Sequence, residues 1–286
     1  MSFKLSEKQL CEYNENGFIL IEGLLDEDVI KTIRDEIDTL TVKALNAINS
    51  GDKDFPVSSF EFEEDHPTVL RRIQDPNEIS PLFADLGGNP LLIGTLQSVL
   101  GESVRLQRMK LNVKSPGVGA LVDWHQDFAF YPHTNNSVTA LGVLIDDVDE
   151  ENAPLIAFPG THQGPVLDHH HKEYFVGSVD LEEHGLDPSQ GIRLMGPAGS
   201  VTLHHGHTVH GSAENQSDKP RRMLFLECAA GDAWPLMGEE MLESGPVMLS
   251  GSLSWTPRME AIQVRLPYPT PKLKHESIYD IQKLRA

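Results

Sequence analysis

The chain has 286 residues, 39% of them hydrophobic, and a formal charge of −20 at pH 7 from 43 acidic and 23 basic residues. This size and composition predict a folded protein with a large core, and the acidic balance argues against a nucleic-acid or anionic-membrane surface. The chain contains only two cysteines, so we expect no disulfide framework and a reducing compartment. The N-terminus has no apolar signal-peptide region and no run of about 18 apolar residues occurs, which favours a soluble, cytoplasmic protein.

Helix signals dominate the N-terminal third. Ser6 and Gln9 have the spacing of a capping box, and polar N-cap residues precede two further apolar, helix-periodic segments. The predicted helices follow Ser6 and end near Gly17, follow Asp26 and end at Gly51, and span Pro90–Leu100 after Asn89. Phe18–Ile21 is predicted to be a strand, and the polar, acidic residues 50–66 are predicted to be a mobile loop.

Short apolar runs separated by turn residues follow the helical part. They predict strands at Ser103–Lys114, Ser137–Val148, Pro154–Phe158, Gly199–His205 and Pro220–Ala229. In the first strand the apolar phase changes between Leu106 and Leu111, so we expect a β-bulge near Met109. Helices followed by many strands favour one mainly β domain, a jelly-roll barrel with an N-terminal helical layer. The expected parts are the helical layer (1–102), the barrel core (103–230) with a lid (163–196), and a wrapping tail (231–286).

A candidate metal site lies in the strand-rich region. His125 and Asp127 are two residues apart, so their side chains point the same way in an extended segment. A second imidazole would complete the two-histidine, one-carboxylate triad that suits ferrous iron. His210, at the end of another apolar run, is the candidate for this third ligand. An isolated His-x-Asp triplet is more often a buried histidine bonded to a neighbour, so the context decides. Three nearby histidines compete with His210, namely His204, His205 and His207.

The motifs around these residues resemble the phytanoyl-CoA dioxygenase family of iron(II)/2-oxoglutarate-dependent oxygenases. The resembling pieces are His125-Gln126-Asp127, Asn152 through Pro159-Gly160-Thr161-His162, and His210-Gly211-Ser212 with Asn215 and Arg221. The resemblance implies a double-stranded β-helix (jelly-roll or cupin-like) barrel. It also implies Fe(II) bound by His125, Asp127 and His210, with 2-oxoglutarate and O2 as co-substrates.

The same resemblance implies a clamp for the far carboxylate of 2-oxoglutarate. The clamp would be Arg221, the arginine 11 residues after the distal histidine, assisted by Ser212. Arg222 remains an alternative, because both faces of this strand are apolar and strand parity does not separate the two arginines. Gln107 is predicted as a further cofactor-site residue. Related halogenases lack the carboxylate that Asp127 provides, so its presence favours hydroxylation.

The predicted substrate-binding residues are polar and come from two places in the chain. Lys110 and Asn112 lie on one strand, and Tyr131, His133 and Asn135 follow the metal motif. Together with the nearby basic residues they suit a small anionic or zwitterionic molecule. An alternative of equal weight is that Lys110 and Asn112 only brace 2-oxoglutarate.

Residues 128–135 and Ser277–Tyr279 resemble the bacterial branch that includes 2-aminoethylphosphonate dioxygenases, which implies an organophosphonate substrate. Other open candidates are a free amino acid, an ectoine-like molecule or an acyl-CoA, although the acidic balance disfavours coenzyme A. A rival from another class is a metal-binding jelly-roll protein without oxygenase activity, which would have no need of Arg221 and Ser212. A small molecule is the only partner expected, with no nucleic acid and no membrane, and the sequence does not indicate the oligomeric state.

Overall fold

The computed structural model describes residues 3–237, 246–270 and 278–283. The helices in those ranges are α1 (Glu7–Asn16), α2 (Glu27–Ser50), α3 (Pro76–Ile79), α4 (Pro81–Gly87), α5 (Pro90–Leu100) and α6 (Ile278–Gln282). The three helices predicted from N-caps and glycine stops are confirmed. Ser6 accepts a hydrogen bond from the backbone N–H of Gln9, and Gly17 ends α1 with a left-handed φ of 85°. None of the described helices is both long enough and apolar enough to cross a lipid bilayer.

The strands form two antiparallel sheets and a small hairpin. They are β1 (Phe18–Ile21), β2 (Phe60–Phe62), β3 (Leu70–Gln74), β4 (Val104–Lys114), β5 (Val122–His125), β6 (Val138–Leu144), β7 (Leu155–Ala157), β8 (His170–His171), β9 (Tyr174–Phe175), β10 (Ile192–Leu194), β11 (Val201–His205), β12 (His210–Ser212), β13 (Arg221–Ala230) and β14 (Val247–Ser250). The larger sheet has the order β1-β11-β6-β13-β4-β3-β2, with β14 also paired to β4. The smaller sheet has the order β10-β7-β12-β5, and β8 pairs with β9.

The helical layer packs on one face of the larger sheet. Ile30 and Ile33 of α2 belong to the same buried cluster as Leu141, Leu203 and Leu224, which come from three different strands. Because side chains alternate along a strand, the opposite face of this sheet is left to the interior of the barrel. The helices therefore supply the main core, and the inner face is free to carry polar residues.

The predicted bulge in β4 is confirmed, although it falls slightly earlier than expected. Glu227 of β13 pairs with Arg108, whereas the next residue, Cys228, pairs with Leu106. Gln107 is therefore the extra, unpaired residue, and at this point the alternation of side chains between the two faces of the strand shifts by one residue. The bulge places Lys110 and Asn112 on the inner face while Leu111 remains in the core.

Three regions hold more regular structure than the sequence pattern indicates. Residues 50–66, predicted as a loop, contain a 3₁₀ turn and β2, and β3 follows them. The predicted lid (163–196) includes β10, which pairs with β7 in the smaller sheet. The predicted tail adds β14 to the larger sheet and supplies α6. These short elements have only three to five residues, too few for a clear periodic pattern.

Candidate active site

Two neighbouring strands of the smaller sheet bring the predicted metal ligands together. His125 ends β5 and pairs directly with His210, which begins β12 rather than ending a strand as expected. Asp127 begins the 3₁₀ turn after β5. Its Oδ1 atom lies 3.6 Å from Nε2 of His125 and 3.9 Å from Nε2 of His210. All three side chains are buried, and their candidate ligand atoms lie within 4.8 Å of one another.

The two imidazoles are oriented as metal ligands require. Nδ1 of His125 lies 2.8 Å from the carbonyl oxygen of Asp123, and Nδ1 of His210 lies 2.9 Å from that of Thr208. When Nδ1–H donates to a carbonyl, the lone pair of Nε2 is available to a metal ion. Burial, reinforced by neighbouring histidines, holds the pKa of His210 well below its usual range, so the ring is neutral and able to bind metal. This donor set fits ferrous iron.

A third histidine, His204, holds the other oxygen of the aspartate. Its Nε2 atom lies 3.0 Å from Oδ2 of Asp127, which leaves Oδ1 facing His125 and His210. Burial raises the pKa of Asp127, but His210, His125, His204 and Lys110 together lower it well below its usual range. From the sequence, His204 was predicted only as a competing ligand, because a bond to the far oxygen of a carboxylate has no spacing signature.

A narrow cavity extends from the three candidate ligands between the two sheets. The volume in which the centre of a water molecule can be placed is about 50 Å³. The polar side chains that line it include Lys110, Asn112, Lys114, His204, Ser212 and Arg221. Ile278 and Tyr279 of α6 complete the lining, and Ser277, named with them in the sequence analysis, lies outside the described residues. The cavity is therefore small and carries several polar side chains.

One end of the cavity holds two buried cationic side chains. Nε and Nη2 of Arg221 donate to the carbonyl oxygen of Ala153 at 3.0 and 2.8 Å. Nζ of Lys114, the register partner of Arg221, donates to the carbonyl oxygens of Ser212 and Ala213. No carboxylate among the described residues is ion-paired with either group. Burial lowers the pKa of Arg221 to about 10. Burial and the nearby guanidinium hold the pKa of Lys114 well below its usual range.

Arg222, the alternative clamp, points away from this cavity. Its Nη2 and Nε atoms bond to the two oxygens of Asp146 at 2.7 and 3.0 Å, a bidentate pair. Nη1 lies 3.7 Å from Asp38 of α2. The two adjacent arginines therefore lie on opposite faces of β13, a distinction that the apolar residues on both faces concealed in the sequence. Lys114 was predicted only as one of the nearby basic residues and not as a site residue, although it continues the alternation of Lys110 and Asn112 on β4.

Lys110 and Asn112 line the cavity as predicted, but their surroundings differ. Nζ of Lys110 is paired with the buried carboxylate of Glu227. Oδ1 of Asn112 and the hydroxyl of Tyr131 are buried and have no hydrogen-bond partner within the described part of the chain. Burial, together with nearby Asp127 and Glu227, raises the pKa of Tyr131. The amide oxygen of Asn112 is therefore available to a bound molecule, whereas Tyr131 is absent from the cavity lining that the structure describes.

Three other predicted site residues have structural contacts and are absent from the cavity lining that the structure describes. Gln107 accepts a hydrogen bond from Nη1 of Arg105 at 2.6 Å. His133 lies with Nε2 3.0 Å from Nη2 of the same arginine, and burial lowers its pKa to about 4. Asn135 donates to the backbone carbonyls of Asp232 and Arg258. Each of these side chains satisfies buried polar groups at one end of the barrel.

Comparison with known proteins identifies the family. The model of the phytanoyl-CoA dioxygenase (PhyH) family matches residues 13–223. A probable alpha-ketoglutarate-dependent hypophosphite dioxygenase of Stutzerimonas stutzeri is 34% identical over 271 residues, 92% of each chain. The chain belongs to the phytanoyl-CoA dioxygenase family. The predicted class, an iron- and 2-oxoglutarate-dependent oxygenase, is confirmed by this membership.

More distant relatives agree on the fold. The ectoine dioxygenase of Bordetella bronchiseptica is 25% identical over 244 residues, covering 78% of this chain and 74% of the relative. The crystal structure of EctD from S. alaskensis with 2-oxoglutarate and 5-hydroxyectoine has a TM-score of 0.64 at 22% identity, covering 79% of this chain and 76% of EctD. The predicted jelly-roll barrel with an N-terminal helical layer is thereby confirmed. The roles of individual site residues stay predictions.

Proposed function

We propose that the protein hydroxylates a small phosphorus oxyanion in an iron(II)- and 2-oxoglutarate-dependent reaction. Hypophosphite and small organophosphonates such as 2-aminoethylphosphonate are the expected members of this substrate class. The observation that supports the proposal is that one small cavity beside the candidate metal ligands has cationic side chains at two separate positions. Lys110 lies at one position, and Lys114 and Arg221 lie at the other. The similarity to a relative named for hypophosphite supports phosphorus as the central atom.

In this proposal His125, Asp127 and His210 hold ferrous iron, while His204 keeps Asp127 turned toward the ion. When bound, iron supplies the activation of O2 that side chains cannot provide. The overall reaction converts substrate X–H, 2-oxoglutarate and O2 into X–OH, succinate and CO2. The protein contributes the orientation of both organic partners and a cavity that excludes bulk water.

The far carboxylate of 2-oxoglutarate is expected to bind at the end that holds Arg221, Lys114 and Ser212. Two buried cationic groups side by side are costly to desolvate unless an anion compensates them. No carboxylate among the described residues is ion-paired with Arg221 or Lys114, and Glu214, which acts on Lys114 from further away, is exposed, so a bound carboxylate is the natural counter-charge. Arg221 can offer parallel N–H donors and Ser212 a hydroxyl to the same group. This arrangement also argues against a protein that binds only a metal.

The substrate is expected at the level of Lys110. Lys110 and Lys114 are four residues apart on β4, which separates their backbone positions by about 13 Å. One cation can therefore serve the co-substrate and the other the substrate. Glu227, paired with Lys110, offers a second contact of opposite charge, as the ammonium group of 2-aminoethylphosphonate would need. Hypophosphite would use the cation alone.

Substrate-dependent succinate formation tests the proposal. The purified protein with Fe(II), ascorbate and 2-oxoglutarate would be given hypophosphite, methylphosphonate, 2-aminoethylphosphonate, L-proline, ectoine and an acyl-CoA in turn. We expect stimulation by at least one phosphorus compound, with the hydroxylated product or phosphite detected by ³¹P NMR. Stimulation by proline, ectoine or acyl-CoA without any response to phosphorus compounds would overturn the assignment. Phosphite itself serves as the control for product inhibition.

A matched variant separates the two phosphorus substrates. Glu227→Gln removes the negative charge next to Lys110 and keeps the size of the side chain. If the zwitterion is the substrate, KM for 2-aminoethylphosphonate should rise while that for hypophosphite is unchanged or falls. The opposite response would place the ammonium group elsewhere and leave hypophosphite as the better candidate.

A further inference from the structure

We infer that the short helix α6 forms part of the active site. In this inference Tyr279 covers the bound co-substrate, and Gln282 fixes the helix to the strand that carries His125. The inference rests on the proposed function in so far as 2-oxoglutarate occupies the end of the cavity near Arg221. It concerns a segment that begins at the Ser277–Tyr279 motif and to which the proposed function assigned no role.

Tyr279 lies at the wall of the cavity next to β3 of the larger sheet. Its side chain is buried and lines the cavity together with Arg221. The guanidinium of Arg71, on β3, lies 4.9 Å from the centre of the tyrosine ring, a cation–π contact that holds the ring from behind. Arg71 is itself fixed by Glu61 at 3.2 Å. The ring is therefore packed against the hairpin formed by β2 and β3.

Electrostatics support the closeness of Tyr279 to the co-substrate end. Burial raises the pKa of Tyr279, while the guanidinium groups of Arg221, Arg72 and Arg71 act in the opposite direction. A phenol surrounded by cations, at the wall of a cavity with a proposed carboxylate site, is well placed to contact the co-substrate and exclude water from it. Removing the ring should open that site to solvent and weaken the charge-assisted contacts within it.

Gln282 attaches the helix to the metal-binding strand. Its Oε1 accepts from the backbone N–H of Asp123 at 2.8 Å, and its Nε2 donates to the carbonyl oxygens of Asp123 and Gly177 at 3.2 and 2.9 Å. The carbonyl of Asp123 is the same group that bonds to Nδ1 of His125 at 2.8 Å. Gln282 is thus a positioning residue, acting on the ligand through the backbone that orients it.

Binding of 2-oxoglutarate tests the role of Tyr279 without any turnover. The visible charge-transfer band that forms when 2-oxoglutarate is added anaerobically to the Fe(II) protein gives its dissociation constant. We expect Tyr279→Ala to weaken binding at least tenfold and Tyr279→Phe, which keeps the ring, to weaken it less than threefold. Lys283→Ala, which removes an exposed ion pair between Glu64 and the residue directly after the helix, should have no effect. Unchanged binding in Tyr279→Ala, with the thermal midpoint of unfolding retained, would overturn the inference.

Hydrogen exchange provides a second readout on the wild-type protein. Amides of residues 279–282 should exchange more slowly once 2-oxoglutarate is bound, because the ring then has a partner on both faces. If exchange in α6 is the same with and without 2-oxoglutarate, the helix does not contact the co-substrate. A wild-type protein that forms no charge-transfer band at all would instead overturn the proposed function, so the two failures are distinguishable.

Gln282→Ala tests the positioning role. With the attachment lost, we expect weaker binding of Co(II), a spectroscopic substitute for iron, and more succinate formed in the absence of any second substrate. A purely structural role would lower stability without raising this uncoupled succinate. Gln282→Glu keeps the acceptor and loses the donor, so it should give an intermediate result. Equal uncoupled rates in all three proteins would exclude the role.

Discussion

At the scale of single residues, two adjacent arginines with opposite environments give the sharpest prediction. Arg221 lines the cavity, whereas Arg222 is bound to Asp146 on the outer side of β13. Losing one partner of a buried charge-assisted pair costs about 2–5 kcal/mol. We therefore expect Arg221→Ala to raise KM for 2-oxoglutarate roughly 30-fold or more. Steady-state succinate formation over a range of 2-oxoglutarate concentrations measures it.

Arg222→Ala is the matched control for this prediction. It removes the same side chain one residue along, so its KM for 2-oxoglutarate should stay near the wild-type value while thermal stability falls. If Arg222→Ala instead raised KM and Arg221→Ala did not, the two arginines would have exchanged roles in solution and the assignment of the clamp would be wrong.

His204 is expected to affect metal affinity without being a ligand. Loss of a side chain that orients a ligand typically weakens metal binding about 10- to 100-fold. His204→Phe keeps a ring of similar bulk and removes the bond to Oδ2 of Asp127, so the dissociation constant for Co(II) should rise by that amount. His205→Phe, on the next residue of the same strand, should leave it within threefold. Complete loss of binding in His204→Phe would indicate that the imidazole itself coordinates the metal.

We expect Lys114 to make the binding of 2-oxoglutarate depend on pH. Its pKa in the free protein is depressed by burial and by Arg221, and a bound carboxylate would restore the charged form. Above the depressed pKa, binding must take up a proton, so affinity should fall as pH rises, by up to about tenfold per pH unit. Below that pKa the affinity should be flat. Titrations of the charge-transfer band from pH 6 to 9 would show this slope, and Lys114→Arg should abolish it. A wild-type affinity that rises with pH would contradict the prediction.

Residue spacing predicted much of the candidate site, and the residues that it did not predict share identifiable physical reasons. His125 and Asp127 share a side because of a period of two, and the same period could have identified Lys114 from Lys110. Arg221 and Arg222 could not be separated, because Leu224 and Phe225 make both faces of β13 apolar and only the packing of α2 shows which side is the outer one. The contact of His204 depends on the angle of a carboxylate, and no linear pattern encodes it.

At the scale of elements, one glutamine joins the metal-binding strand to the predicted lid. Gln126 is fully buried, with its Nε2 donating to the carbonyls of Pro165 and His207 and its Oε1 accepting from the N–H of Leu167. Each buried group left without a partner costs about 1–3 kcal/mol. Gln126→Leu should therefore lower the free energy of unfolding by about 3 kcal/mol or more.

Urea unfolding followed by circular dichroism measures this loss. Gln190→Leu, at an exposed glutamine in the same part of the chain, should change stability by less than about 0.5 kcal/mol. Limited proteolysis should cut Gln126→Leu faster within residues 163–196 than elsewhere. Equal stability of the two variants would mean that the lid is held mainly by other contacts.

Elements with local signals were predictable and those defined by distant partners were not. Ser6, Asp26 and Asn89 cap their helices by bonds within three residues, so the sequence alone places those ends. By contrast, β10 and β14 are strands because β7 and β4 offer free edges, and α6 is held by Gln282 reaching residues more than 100 positions away. Their burial and pairing are properties of the folded barrel.

At the scale of the whole molecule, the net charge opposes the charge of the cavity. A chain with a formal charge of −20 repels an approaching dianion such as 2-oxoglutarate, although Arg221 and Lys114 would attract it in the proposed site. The two effects act over different distances. The Debye length falls from about 30 Å at 0.01 M salt to about 8 Å at 0.15 M salt, so salt screens the distant acidic surface more than the buried cations.

This difference predicts an unusual salt dependence of the kinetics. The association rate constant of 2-oxoglutarate should increase between 0.01 and 0.15 M ionic strength, because repulsion by the surface is screened first. Anaerobic stopped-flow measurement of the charge-transfer band would give the rate. If the association rate constant instead fell as salt increased, the prediction would be wrong. The positive potential of the cavity would then outweigh the repulsion by the acidic surface outside the cavity. In Arg221→Ala the rate should increase with salt more steeply than in the wild type, since the opposing local attraction is reduced.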